Sequence, residues 1–211
     1  MSQDECNSTT IIILGLPGSI RQGSFTRRAI ETALSGAADA GAQTAMFDLG
    51  QHELPFAFDH KAEYSENVRK MREAVKAADG VILGTPEYHG AVSGVLKNAL
   101  DLMGFDEFEG KMLGLVGVSG GAMGAHDALN TLRTIGRALH AWVIPVQASV
   151  PEAWKVFRTN GTISDLTVEE RLRQVGREVA RFARLHKCEG ALNFVAEWQK
   201  APENPGGNLS S

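Results

Sequence analysis

Residues 10–26 read TIIILGLPGSIRQGSFT, and this stretch decides the fold. Ile11, Ile12, Ile13 and Leu14 form an unbroken run of branched apolar side chains. A strand with one wet face alternates polar and apolar residues, whereas a continuous run marks a strand covered on both faces, as in a parallel sheet. The strand is therefore expected over Thr10–Leu16. Gly15-Leu16-Pro17-Gly18-Ser19 supplies the turn, and Ser24–Ala40 then predicts a helix with Phe25, Ala29, Ala33 and Ala37 on one stripe.

The same unit recurs along the chain. Gln43–Leu49 reads as a second strand, followed by a long connection from Gly50 to Glu63 broken by Leu54-Pro55. Tyr64–Ala78 is helical, with Val68, Met71, Val75 and Ala78 spaced by three and four. Gly80–Thr85 is a third strand ended by Pro86, and Val92–Met103 is a helix. Lys111–Val118 is a fourth strand before the helix Gly124–Leu139. Ala141–Val150 is a fifth, and Pro145 within it predicts an edge position. Thr167–Lys187 closes the series, with a capping box at Thr167-Val168-Glu169-Glu170. Strict alternation predicts an α/β three-layer sandwich around a five-stranded parallel sheet in the order 2-1-3-4-5. Ligands of such sheets sit beyond the carboxyl ends of the strands, where strand order reverses. The loops after strands 1, 3 and 4 should carry the chemistry.

Composition narrows the function classes. The 211 residues are 43% hydrophobic and 22% charged, with a formal charge of −4. We expect one domain over residues 10–190, a flexible N-terminus over 1–9, and an extension over 191–211 whose Pro-, Gly-, Asn- and Ser-rich tail lacks fixed structure. The mild negative charge argues against nucleic acid and anionic lipid as partners. No apolar run approaches the length of a membrane span, and the first ten residues lack the pattern of a secretion signal. Cys6 and Cys188 form no CxxC pair, which argues against a zinc site and fits a reducing, cytoplasmic compartment.

Each of the three loops has two readings. From Gly15 to Ile30 there are three arginines and no acid. A helix N-terminus flanked by Ser19, Arg21, Ser24 and Thr26 suits a phosphate, and it also suits a capped turn with a solvated arginine. The glycines of this loop fit neither GxGxxG nor the Walker pattern. Pro86-Glu87-Tyr88-His89 offers a flat wall and polar groups for a heteroaromatic ligand, or simply a proline turn. Ser119-Gly120-Gly121 lets backbone N–H groups approach a ligand, or serves as a tight connector.

Together these motifs resemble the NADPH-dependent FMN reductases, a flavodoxin-like family that includes quinone, chromate and azo-dye reductases. The family's G-S-x-R-x-x-S loop is similar to Gly18–Ser24. Its P-E-Y loop and G-V-L-K-N-A-L-D helix match Pro86-Glu87-Tyr88 and Gly94–Asp101, and its S-G-G loop matches Ser119-Gly120-Gly121. Thr26 and His89 stand where asparagine is frequent, and Val92-Ser93 replaces a common Ile-Pro pair.

The resemblance implies that Ser19, Arg21, Ser24 and Thr26 hold the FMN phosphate. It implies that Pro86, Glu87, Tyr88 and His89 line the ribityl and ring side, and that Ser119, Gly120 and Gly121 meet the ring edge. It further implies hydride transfer from NADPH or NADH to the flavin, then to a small-molecule electron acceptor, in a homodimer or homotetramer. No protein side chain is assigned a catalytic role and no metal is expected. The alternative is a flavodoxin-type electron carrier without NAD(P)H oxidase activity.

Overall fold

The computed structural model describes residues 10–60 and 65–187. The expectations for residues 1–9 and 191–211, for Cys6 and Cys188, and for Tyr64 as a helix start lie outside the described residues.

Five strands form one parallel sheet: β1 (Ile12–Pro17), β2 (Gln43–Met46), β3 (Gly80–Tyr88), β5 (Met112–Val118) and β6 (Trp142–Val150). Their order is β2-β1-β3-β5-β6. This is the expected order 2-1-3-4-5, renumbered by a two-residue strand, β4 (Ala91–Val92), which folds back antiparallel on β3.

Side chains of the central strands β1, β3 and β5 alternate between two covered faces. Ile13, Ile82 and Val116 point to one face, where α1 (Phe25–Asp39) and α7 (Leu166–Lys187) pack. Leu14, Leu16, Val81, Leu83, Leu113 and Leu115 point to the other. There they meet α2 (Glu66–Ala77), α3 (Gly94–Asp101) and α5 (His126–Ala138). The unbroken apolar runs of the sequence thus follow from burial on both sides. Two glycines let α1 and α7 cross with their backbones in contact. A Cβ on Gly176 would fall 1.8 Å from the Ala33 carbonyl oxygen, and one on Gly36 would fall 2.1 Å from that of Arg173.

Several boundaries depart from the sequence expectation. β2 stops at Met46, because Asp48 caps a short 3-10 turn (Leu49–Gln51) through its Oδ1 and the Gly50 N–H, 2.9 Å apart. β3 does not end at Pro86 but runs on to Tyr88. Its partner β1 stops at Pro17, opposite Gly84, so the missing proline N–H falls where no β1 acceptor remains. Val92 belongs to β4, and α3 starts at Gly94 behind the N-cap Ser93. The final helix is not opened by the Thr167 box. Asp165 caps it, its Oδ1 accepting from the N–H groups of Thr167 (2.9 Å) and Val168 (3.2 Å). Short helices α4 (Phe105–Phe108) and α6 (Ala153–Val156) were not expected. β6 is an edge strand as Pro145 predicts, and its register jumps there: Leu113 pairs Val143 while Leu115 pairs Gln147.

Candidate functional site

The first loop leaves β1 tightly against its neighbours. Gly18 N donates to the Gly84 carbonyl at 2.7 Å. A Cβ on Gly18 would meet Leu96 Cβ at 2.5 Å, so only glycine lets the chain pass. Buried Ser93 ties the loop down from the far side: its Oγ donates to the Gly18 carbonyl at 2.6 Å and accepts from Leu96 N at 3.1 Å. Its N–H donates to Thr85 Oγ1 at 3.0 Å, a bond that a proline there could not make.

The loop then turns into α1. Ser24 N donates to the Arg21 carbonyl at 3.2 Å, and Gly23 takes φ +66°. Ser24 is the N-cap, its Oγ accepting from Arg27 N at 3.4 Å. Ser19, Ser24 and Thr26 are buried. No acid occupies the first turn of α1, so the helix itself places no carboxylate at the positive end of its dipole. Arg21 is exposed, and among the described residues its guanidinium has neither hydrogen bond nor ion pair. Arg27, by contrast, pairs with Glu31 (3.2 Å) and Asp48 (3.4 Å).

The second loop is the β3–β4 hairpin. His89 (φ 53°) and Gly90 (φ 70°) form its two-residue turn, since Tyr88 pairs Ala91. Both φ angles are positive, which defines the hairpin turn that favours Asn-Gly. Glu87 is committed elsewhere, its Oε2 accepting from Ala128 N at 3.0 Å. It caps α5, whose own N-cap residue, Ala125, has no side-chain acceptor.

The third loop is gripped by the segment that follows β6. Ala153 N donates to the Ser119 carbonyl at 3.0 Å, and Glu152 N to that of Gly121 at 3.1 Å. Ser119 Oγ accepts from Gly121 N at 3.0 Å. A Cβ on Gly120 would meet nothing within 4 Å, so packing does not require glycine there.

These loops enclose a cleft of about 360 Å³. The structure brings Ser19, Arg21, Ser24, Thr26, Pro86, Glu87, Tyr88, Ser119 and Gly120 into its wall. His89 and Gly121 are not among the lining residues; the first sits in the hairpin turn and the second in the grip of the segment that follows β6. Sequence reasoning did not assign Gln22, Gly23, Phe25, Val118, Ala153 and Trp154, which also line the cleft. Phe25 and Trp154 had a signal: Phe25 is the aromatic first residue of α1 after the β1 loop, and Trp154 an aromatic residue four positions beyond the end of β6.

A doubly covered parallel sheet with an anion-ready turn at its reversal point defines a nucleotide-binding protein of the flavodoxin-like class. The chain belongs to the NADPH-dependent FMN reductase family, whose sequence profile matches residues 11–155. Over 178 residues it is 32% identical to the NADPH-dependent FMN reductase ArsH of Shigella flexneri, covering 82% of this chain and 69% of that protein. It is 43% identical to the NADPH azoreductase of Bacillus sp. (strain OY1-2) over 103 residues, which is 48% of this chain and 58% of that one. In fold it is similar to an apo-form NADH:FMN oxidoreductase, with a TM-score of 0.65, 21% identity, and coverage of 85% of this chain and 91% of that one.

The protein is thus an oxidoreductase whose cofactors are FMN and NADPH. FMN carries a phosphate anion and a planar ring. An unpartnered guanidinium beside an acid-free helix N-terminus, with Tyr88 53% exposed in the same cleft, fits that pair of demands. Among the described residues, no helix is long and apolar enough to cross a membrane.

Proposed function

We propose that the cleft binds FMN through Ser19, Arg21, Ser24 and Thr26 at the phosphate, and through Pro86, Glu87, Tyr88, Ser119 and Gly120 along the ribityl chain and ring. The observation that carries this reading is Arg21, a cation without a partner among the described residues, beside the open end of α1. A charge-assisted fork to phosphate supplies what the fold leaves unmet. Bound FMN would supply two-electron chemistry between NADPH and a small acceptor.

The protein's own contribution is position and shape. Ser24 fixes the end of α1, Gly23 bends the loop, and Phe25 and Val118 give the cleft an apolar lining that limits water. The Glu87 carboxylate is held by Ala128 N, so we assign it to building the site and assign no side chain as acid, base or nucleophile.

The acceptor is a small molecule. Azo compounds, quinones, free flavin and chromate are the proposed candidates, and the 43% identity to an azoreductase puts azo compounds first. We further propose that the protein works in the cytoplasm as a homodimer or homotetramer. The exposed side chains of Ile20 and Phe56 beside α3 support such a contact. Lys97 and Asp101 on that helix pair with each other at 2.7 Å.

Anaerobic stopped-flow mixing of the holoprotein with NADPH, then with each acceptor, tests the reading. Bleaching of the flavin band followed by its return with an azo compound or quinone is expected. A flavin that NADPH does not bleach would contradict it. Retention of flavin through gel filtration would separate tight binding from use of FMN as a substrate.

A further inference from the structure

Three consecutive residues beyond β6 grip three consecutive carbonyls of the third loop. Two of those bonds come from the backbone of Glu152 and Ala153; the third comes from the indole Nε1 of Trp154, which donates to the Gly120 carbonyl at 3.3 Å. Glu152 adopts φ 40°, a left-handed conformation rare outside glycine, and its neighbours' bonds hold it there. The Lys155 ammonium lies 4.9 Å from the Trp154 ring centroid and is itself anchored to Glu152 at 2.6 Å.

The indole is therefore fixed in orientation while 60% of it stays exposed, and it lines the cleft. Its polar edge is bonded to Gly120 and Lys155 stands over the ring, yet the residue stays 60% exposed at the cleft. An exposed tryptophan on a flexible loop would lose rotational freedom on binding a ligand; this one has lost it on folding. Tyr88, the other large exposed aromatic of the same cleft, stands on a different strand end.

We propose that Trp154 is the platform on which planar aromatic acceptors stack, so that it sets the preference for such acceptors over non-aromatic ones. The proposal rests on the FMN reading above and deepens it. Offset stacking between aromatic rings gives an interaction that an inorganic complex ion such as ferricyanide cannot share.

The test uses the full-length holoprotein and two acceptors, menadione and ferricyanide. Trp154→Ala is expected to raise the ratio of the menadione KM to the ferricyanide KM about three- to tenfold. Trp154→Phe keeps a ring without the N–H and is expected to hold that ratio within about twofold. 2-Naphthoate, which this chemistry does not reduce, is expected to quench protein fluorescence more in the wild type than in Trp154→Ala.

An unchanged KM ratio in a Trp154→Ala protein that still binds FMN and oxidises NADPH would overturn the platform and leave the FMN reading standing. Equal losses in the Phe and Ala variants would also overturn it, placing the effect in the tether to Gly120. So would a weakened FMN titration in Trp154→Ala, since the ring would then belong to the cofactor. A wild-type chain that takes up no FMN would overturn both readings, and the titration reports that before any variant is made.

Discussion

Arg21 is the residue whose chemistry is most exposed to test. Its neighbours Arg27 and Arg28 are occupied, the first by Glu31 and Asp48, the second by the Arg158 carbonyl at 2.8 Å. Arg21→Ala should weaken FMN binding by roughly 1.5–3 kcal/mol, the scale of a hydrogen bond to a charged group. Fluorescence titration of the apoprotein with FMN measures it, and an unchanged affinity would remove Arg21 from the site. The sequence offered this residue as a candidate because it precedes an acid-free helix start, which suits a phosphate as well as a capped turn. His89 stands in the hairpin turn and not in the cleft wall. Its φ of 53° is a backbone demand of the turn that a lone loop histidine does not announce in the sequence. Trp154 escaped because the strand-end rule was applied to the first, third and fourth parallel strands and not to the fifth. The contact of Trp154 with Gly120 spans 34 residues, which no local pattern encodes.

At the scale of elements, the contact of α1 with α7 fixes where the open end of α1 points. Gly36 and Gly176 make that crossing possible, each facing a backbone carbonyl on the opposite helix. Gly176→Ala should cost about 3 kcal/mol, because the new methyl meets backbone and not a side chain that can rotate away. Urea denaturation would show it, and a variant as stable as the parent would mean that the helices can separate without loss. The strands were legible because both faces are buried, which leaves long apolar runs. Element ends were less so, since they are set by single long-range bonds. Thr85 Oγ1 receives Ser93 N from across the hairpin, and Asp165 caps α7 ahead of the Thr167 box. The polar stretch Glu87-Tyr88-His89 after Pro86 gives no hint that the chain continues as a strand and reverses at His89-Gly90.

Across the whole molecule, the two ends of the sheet do different work. The carboxyl ends carry the cleft, and the amino ends carry a charge cluster that ties layers together. Asp79, just before β3, accepts from Ile12 N at 2.8 Å and pairs with Lys187 of α7 at 2.9 Å. Lys111, just before β5, donates to the Lys76 and Ala78 carbonyls at the end of α2. Burial lowers the Lys111 pKa below the ordinary lysine value; Asp79 opposes the shift and Lys187 adds to it. The folded chain therefore releases this proton at lower pH than the unfolded chain, which binds more protons in that window. Stability from this group rises with pH from the lowered value up to the ordinary one of about 10.4. Relative to Lys111→Met, the wild type should gain stability as pH climbs through that alkaline window; a constant difference would contradict the shift. The cleft stands apart from this cluster, and its central claim is that it holds FMN. Titration of apoprotein into FMN, followed by flavin fluorescence, measures that directly. The account predicts saturable quenching at one flavin per chain, and flavin fluorescence that stays constant through the titration would contradict it.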